Sequence, residues 1–79
     1  MKRERFTKEE AEKKVGAIIK TRVEFASVPK GTQGKVVKID DMGGGEWDVV
    51  IRWMGEYFEK YPLEDWFTKD EYERYMEEL

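Results

Sequence analysis

Trp47-Asp48-Val49-Val50-Ile51-Arg52-Trp53, entered from Glu46 and left through Met54-Gly55, decides the fold of this 79-residue chain. Trp47, Val49, Ile51 and Trp53 stand at every second position, with Glu46, Asp48, Val50 and Arg52 between them. That is the pattern of a strand with one buried face and one face in water. A one-residue slip would turn four large apolar side chains into solvent, so the register is strongly set.

Working outward, residues 40–45 carry three consecutive glycines and read as a loop with a flexible hairpin tip. Residues 34–39 form the strand before it, and residues 27–32, with Pro29 and Gly31, form a turn. Residues 17–25 read as the first strand, with Ile19, Val23 and Phe25 facing inward and Ile18 leaving the phase open. On the other side, Gly55 opens a loop through Glu56-Tyr57-Phe58-Glu59-Lys60-Tyr61. Residues 62–67 then supply an edge strand, since Pro62 cannot donate to a ladder.

Phe6-Thr7-Lys8-Glu9-Glu10 and Phe67-Thr68-Lys69-Asp70-Glu71 bracket this β unit with nearly the same five residues. In each, Thr is followed three positions later by Glu, the spacing of a capping box, and the preceding Phe can staple onto Ala11 or Tyr72. The spacing predicts helices over 7–15, ended by Gly16, and over 68–78, with Tyr72, Tyr75, Met76 and Leu79 on one inner face. The expected architecture is mainly β (α+β), a small antiparallel barrel of about four or five strands over 17–67 within one domain spanning 1–79.

Charged residues make up 42% of the chain, yet the net charge is only −3. The signs are unevenly placed: residues 1–22 carry +4, residues 23–55 carry −1 and residues 56–79 carry −6. Opposite termini can attract each other, or the acidic end can steer a basic partner. The chain has no cysteine and no run near the length that spans a bilayer, and the charged N-terminus leads into a capped polar helix. Neither a secretory leader nor membrane insertion is expected, and the cytoplasm is the expected compartment.

Residues Val28-Pro29-Lys30-Gly31-Thr32-Gln33-Gly34-Lys35-Val36-Val37-Lys38-Ile39, followed by a loop and the Trp47–Trp53 strand, resemble an SH3-like small barrel. The Gly31-x-x-Gly34-x-Val36 run is similar to the glycine-valine turn of KOW modules. The same layout resembles SH3-like accessory subunits of photosynthetic electron transfer, and the whole chain resembles a family of small bacterial proteins that share its two end motifs. These resemblances imply an accessory or binding module, or a nucleic-acid-binding one. The Ala-Leu-Tyr-Asp-Tyr segment of peptide-binding SH3 domains has no counterpart, which argues against Pro-rich ligands.

Inventory constrains chemistry further. With no His and no Cys, Ser-His and Cys-His nucleophiles are ruled out, and Ser27 has no recognisable base. Asp40-Asp41 and Glu64-Asp65 lack the alternating spacing of a calcium loop, and Gly43-Gly44-Gly45 is followed by Glu46 and not by Lys-Ser/Thr. No enzyme activity, metal or cofactor is expected.

Binding has two expected locations. Tyr57, Phe58 and Tyr61, interleaved with Glu56 and Glu59, form an aromatic-acidic loop suited to docking on a protein partner. Trp53 and Trp66 are read as core residues closing the barrel bottom. The alternative is nucleic acid on a basic face of Lys30, Lys35, Lys38 and Arg52, with stacking from an aromatic.

Overall fold

The computed structural model describes residues 4–79. Helix α1 (Lys8–Lys14) leads into β1 (Ile18–Thr21), β2 (Gln33–Gly43) and β3 (Glu46–Trp53). A short helix α2 (Glu56–Lys60) precedes β4 (Glu64–Phe67), and α3 (Lys69–Tyr75) precedes β5 (Met76–Glu78). The strands form one antiparallel sheet in the order β4-β3-β2-β1-β5. The molecule is therefore mainly β with a few short helices. The closure expected of a barrel is not present: β4 and β5 are the two edges, and no ladder joins them among the described residues. Side chains connect the two ends instead, because Phe25 packs on Phe67 of β4 at 5.5 Å between ring centroids and on Tyr75 at 6.2 Å.

Strand β3 follows the expected alternation on its inner side: Val49, Ile51 and Trp53 are buried and Trp47 is half-buried. The face expected in water is only partly wet, with Glu46 and Arg52 exposed but Asp48 and Val50 buried, because Trp66 of β4 stands in register beside Val50. Its ladder with β2 pairs Val36 with Ile51 and Ile39 with Val49, and Val37 is the extra residue of a bulge between them. The bulge lets Val36 and Ile39 face the same core although they are an odd number of residues apart. Strand β2 also runs further than residues 34–39. Asp40 pairs with Asp48 and Asp41 with Trp47, so only Gly44-Gly45 separates the strands. Both have positive φ, 62° and 78°, as the favoured two-residue hairpin turns demand.

Two expectations at the ends of the sheet are corrected. β1 is four residues, not 17–25, because the Thr21 hydroxyl donates to the Val23 carbonyl at 2.7 Å and accepts its N–H at 3.2 Å, turning the chain away. Val23 is consequently only half-buried; Phe25 reaches the core from a short bridge with Val28. The last helix stops at Tyr75, and Met76–Glu78 become a fifth strand whose Met76, Glu77 and Glu78 pair with Thr21, Lys20 and Ile19. The exposed edge of β1 offers ladder partners that outweigh one more helical turn of Glu-Glu. Leu79 is exposed and does not join the Tyr72, Tyr75 and Met76 stripe.

Both capping boxes form in full. The Thr7 and Thr68 hydroxyls each accept the N–H of the third helical residue at 3.2 Å, and Glu10 and Glu71 each accept the Thr N–H at 2.9 Å. The two motifs also touch, because Glu10 accepts a hydrogen bond from Lys69 Nζ at 2.8 Å on its second oxygen. Lys14 pairs with Glu78 at 2.9 Å, so the basic entry and acidic exit of the chain do attract each other. Glu10 is held below the usual carboxylate range by Lys69 and then by the Thr7 amide, and Lys69 is raised in turn by Glu10. Removing either hydroxyl, as Thr7→Ala or Thr68→Ala, is expected to cost about 1 kcal/mol, more at buried Thr68. Urea unfolding with an unchanged slope checks this.

Candidate functional site

Where β3 ends, the chain must reverse over the open end of the core. Gly55, at φ 127°, makes that bend in a region closed to other residues, and its carbonyl accepts the N–H groups of Phe58 and Glu59 at 3.0 Å each. The expected loop over 56–61 is therefore a short helix, α2, and one helical turn separates its aromatic residues by facing. Phe58 is 7% exposed and anchors the helix onto the core, whereas Tyr57 and Tyr61 are 61% and 56% exposed. As part of the core cluster, Phe58 is a floor residue and not an exposed contact.

The three rings remain in mutual contact. Tyr57 meets Phe58 edge-on at 5.1 Å and lies 5.3 Å from Tyr61. Opposite them, the turn between β1 and β2 contributes Ser27, Pro29 and Thr32, which with Met54, Gly55, Glu56, Tyr57 and Phe58 line a groove of about 490 Å³. The turn is held by Thr32, whose hydroxyl and N–H both donate to the Pro29 carbonyl, at 2.7 and 3.1 Å. A second depression of about 440 Å³ shares Met54, Gly55 and Phe58 and extends to Arg52, Glu59 and Pro62. Exposed Met54 forms the ridge between them. Glu56 and Glu59 are exposed at its rim. The structure thus brings Glu56, Tyr57, Phe58, Glu59 and Tyr61 together and adds Met54, Pro29 and Thr32, which no local sequence signal marks.

Trp66 corrects another expectation. Trp53 is core, 2% exposed, with its indole N–H donating to Asp65 Oδ2 at 2.7 Å. Trp66, in contrast, is 46% exposed on the outer face of the sheet. Phe67 pairs with Val49 and faces inward, so its neighbour must face out. There the Trp66 indole N–H donates to Asp40 Oδ2 at 2.9 Å, and Lys38 Nζ stands 5.8 Å from the ring centroid. Val50, fully buried yet outside the core cluster, lies between them in register.

The four cations expected to make a basic face lie in two places. Lys30 sits in the turn before β2, while Lys35, Lys38 and Arg52 project from the outer face of the sheet. Glu64 takes up two of these, Arg52 at 2.9 Å and Lys38 at 3.6 Å. Asp40 and Asp48 occupy the same face, and Asp48 is buried with its Oδ1 lacking a hydrogen-bond partner. Burial pushes the Asp48 carboxyl up, against the opposing pull of Arg5.

A third cleft, between α1 and the C-terminal elements, is lined by Glu10, Lys13, Lys14, Lys69, Glu73, Glu78 and Phe6. Four of its charges are paired, Lys14 with Glu78 and Lys69 with Glu10, and Tyr72, whose hydroxyl donates to Glu78 at 2.7 Å, is pushed well above the usual phenol range, first by burial and then by that bond. Glu78 is lowered by Lys14 and by Tyr72. No group of three or more acidic residues is arranged to hold a metal ion among the described residues, and no helix there is long and apolar enough to cross a membrane. No protein-family model, no curated protein and no solved structure matches this chain.

Proposed function

We propose that this protein is a non-enzymatic protein-interaction module of SH3-like character, docking on a larger partner through the surface between α2 and the Ser27–Thr32 turn. The observation that carries it is the exposed Tyr57, in contact with exposed Tyr61 and lining with Met54 a groove floored by buried Phe58. Rigid aromatic side chains with an apolar body and a polar tip are the usual anchors of protein interfaces, since they bury large area at little conformational cost. Here the floor is already ordered by the core, so a partner meets a preformed surface. Glu56 and Glu59 at the rim favour partners presenting basic residues around an apolar centre. The SH3-like part of the reading is supported by the antiparallel strand order, the long β2-β3 hairpin and the Gly34-Lys35-Val36 entry into β2.

A double variant, Tyr57→Ala with Tyr61→Ala, tests the docking surface because both rings are mostly exposed. It is expected to change stability by about 1 kcal/mol or less, as surface substitutions do. Replacing Tyr57 or Tyr61 with a photo-crosslinking phenylalanine analogue should covalently capture a protein in cells, while the same probe at Glu9 or Glu73 should not. Equal labelling at all four positions, or a large stability loss in the double variant, would defeat the proposal.

The nucleic-acid alternative has one observation in its favour, the exposed Trp66 beside Lys38. Against it stand Glu64, Asp40 and Asp48 on the same face, which leave little net charge to release counterions from phosphates.

A further inference from the structure

The outer face of β2, β3 and β4 is laid out in three ranks, each set by strand register. The first is Lys35, Arg52 and Glu64; the second is Lys38, Val50 and Trp66; the third is Asp40 opposite Asp48. Residues directly opposite on antiparallel strands share a face and lie close, so like charges opposite one another are unfavourable within a single molecule. This face contains that unfavourable arrangement twice, with opposite signs: Lys35 against Arg52 at one end, Asp40 against Asp48 at the other. Glu64 relieves the first, yet Lys35 makes no ion pair among the described residues. At the other end, Asp48 Oδ1 has no hydrogen-bond partner. Between the two ends lie the half-exposed Trp66 over buried Val50 and, on β2, the exposed Lys38.

We infer that this face is where two copies of this chain meet, related by a two-fold axis running along the Lys38-Val50-Trp66 rank. A face that is cationic at one end, aromatic in the middle and anionic at the other is complementary to itself when one copy is reversed along the strands. The axis in the plane of contact brings the first rank of one copy over the third rank of the other. Lys35 then faces Asp40, each Lys38 meets its counterpart across the axis while held by its own Glu64 at 3.6 Å, and the two Trp66 rings approach along the axis. Because the contact is isologous, the Lys35–Asp40 pair occurs twice. Lys35 and Asp40, each beside a like charge within one copy, gain an opposite charge from the other, and this complementarity favours a second copy over a uniformly charged partner such as a phosphate backbone.

Three ranks across three strands present roughly 300 Å² per copy, from strand spacing and rise alone. That is well below the ~800 Å² per partner of a standard stable interface, so the dimer is a transient one, with a dissociation constant on the order of 10⁻⁴ M. It leaves the groove between α2 and the Ser27–Thr32 turn uncovered, shares only Arg52 with the second depression, and stands or falls independently of the docking reading.

Sedimentation velocity of the full chain at low salt, from about 10 μM to about 1 mM, reads the association directly. The wild type is expected to move from monomer towards dimer across that range and to return to monomer as salt rises. Lys35→Glu places a carboxylate against Asp40 of the second copy and Asp40→Lys places an ammonium against its Lys35, so each variant alone is expected to stay monomeric. Mixed together, the two should associate. The double variant Lys35→Glu with Asp40→Lys reverses the polarity, restores self-complementarity and should dimerise again. Circular dichroism confirms that each variant is folded, and Lys35 and Asp40 are both exposed. A wild type that stays monomeric at about 1 mM, a dimer unaffected by the single charge reversals, or single variants that ignore each other when mixed would each overturn the inference.

Discussion

Trp53→Ala is expected to remove about 3–5 kcal/mol, the range for emptying a large aromatic site in a packed core. A 79-residue domain has roughly 4–12 kcal/mol in total, so the variant should be largely unfolded or close to it at ambient temperature. Three losses combine. The ring is 2% exposed and packs edge-on against Phe67 at 6.2 Å and obliquely against Phe25 at the same distance, so a cavity opens among residues that connect β3, β4 and the 22–28 excursion. Asp65 loses the indole N–H that now satisfies it at 2.7 Å. The floor of both depressions beside α2 also loses its backing, since Trp53 lines one of them and Phe58 lines both. Trp53→Phe separates these losses, because it keeps a ring while removing the donor and should cost markedly less. Denaturant unfolding followed by circular dichroism measures both variants; a Trp53→Ala protein within 1 kcal/mol of wild type would show that the ring is not the keystone of this end of the sheet.

The parts of this fold that can be read from the chain alone are those decided locally. A strand shows its period in seven residues, and a capping box needs only Thr and a Glu three positions on; both elements appear at the expected places, although the face of β3 expected in water buries Asp48 and Val50. What escaped reading is decided by distant segments. Tyr72, Tyr75, Met76 and Leu79 keep helical spacing to the end of the chain, and only the free edge of β1, more than fifty residues earlier, turns Met76–Glu78 into a strand. Trp66 looks like a core residue by size, yet the pairing of Phe67 with Val49 commits it to the other face. The same holds at the candidate site. Its aromatic and acidic members cluster in sequence after Gly55 and were visible, but which ring turns inward depends on α2 forming, and the far wall at Pro29 and Thr32 comes from a turn over twenty residues away. Likewise, the basic residues are legible as a set, while the Glu64 carboxylate that neutralises two of them becomes apparent only once β3 and β4 are in register.

Gly34 carries the other large expectation. Its place in the Gly31-x-x-Gly34-x-Val36 run invites a turn explanation, and Gly31 does have a positive φ, 91°. Gly34 does not; it sits inside β2, paired with Ile19 on one side and Trp53 on the other. Its reason is space. A Cβ there would stand 2.7 Å from Ile51 Cγ2, 3.0 Å from Trp53 Cε3 and 3.2 Å from the Arg52 carbonyl oxygen. The first two belong to fully packed core side chains and the third is backbone, so none can swing aside as the end of a flexible chain would. Gly34→Ala is therefore expected to cost about 2–3 kcal/mol, at the upper end for overpacking, and Gly34→Val more, since it adds two further carbons in the same crevice. The methyl nearest the new atom belongs to a β-branched residue, which offers a direct check. Ile51→Leu moves the branch one carbon outward and vacates the Cγ2 position, so Gly34→Ala combined with Ile51→Leu should be less destabilising than the two single costs added. A coupling of about 0.5–3 kcal/mol is expected between groups in direct contact. If Gly34→Ala proves neutral, or if the double variant shows strict additivity, then the close approach of β2 to the Ile51 and Trp53 side chains is not what requires glycine at this position.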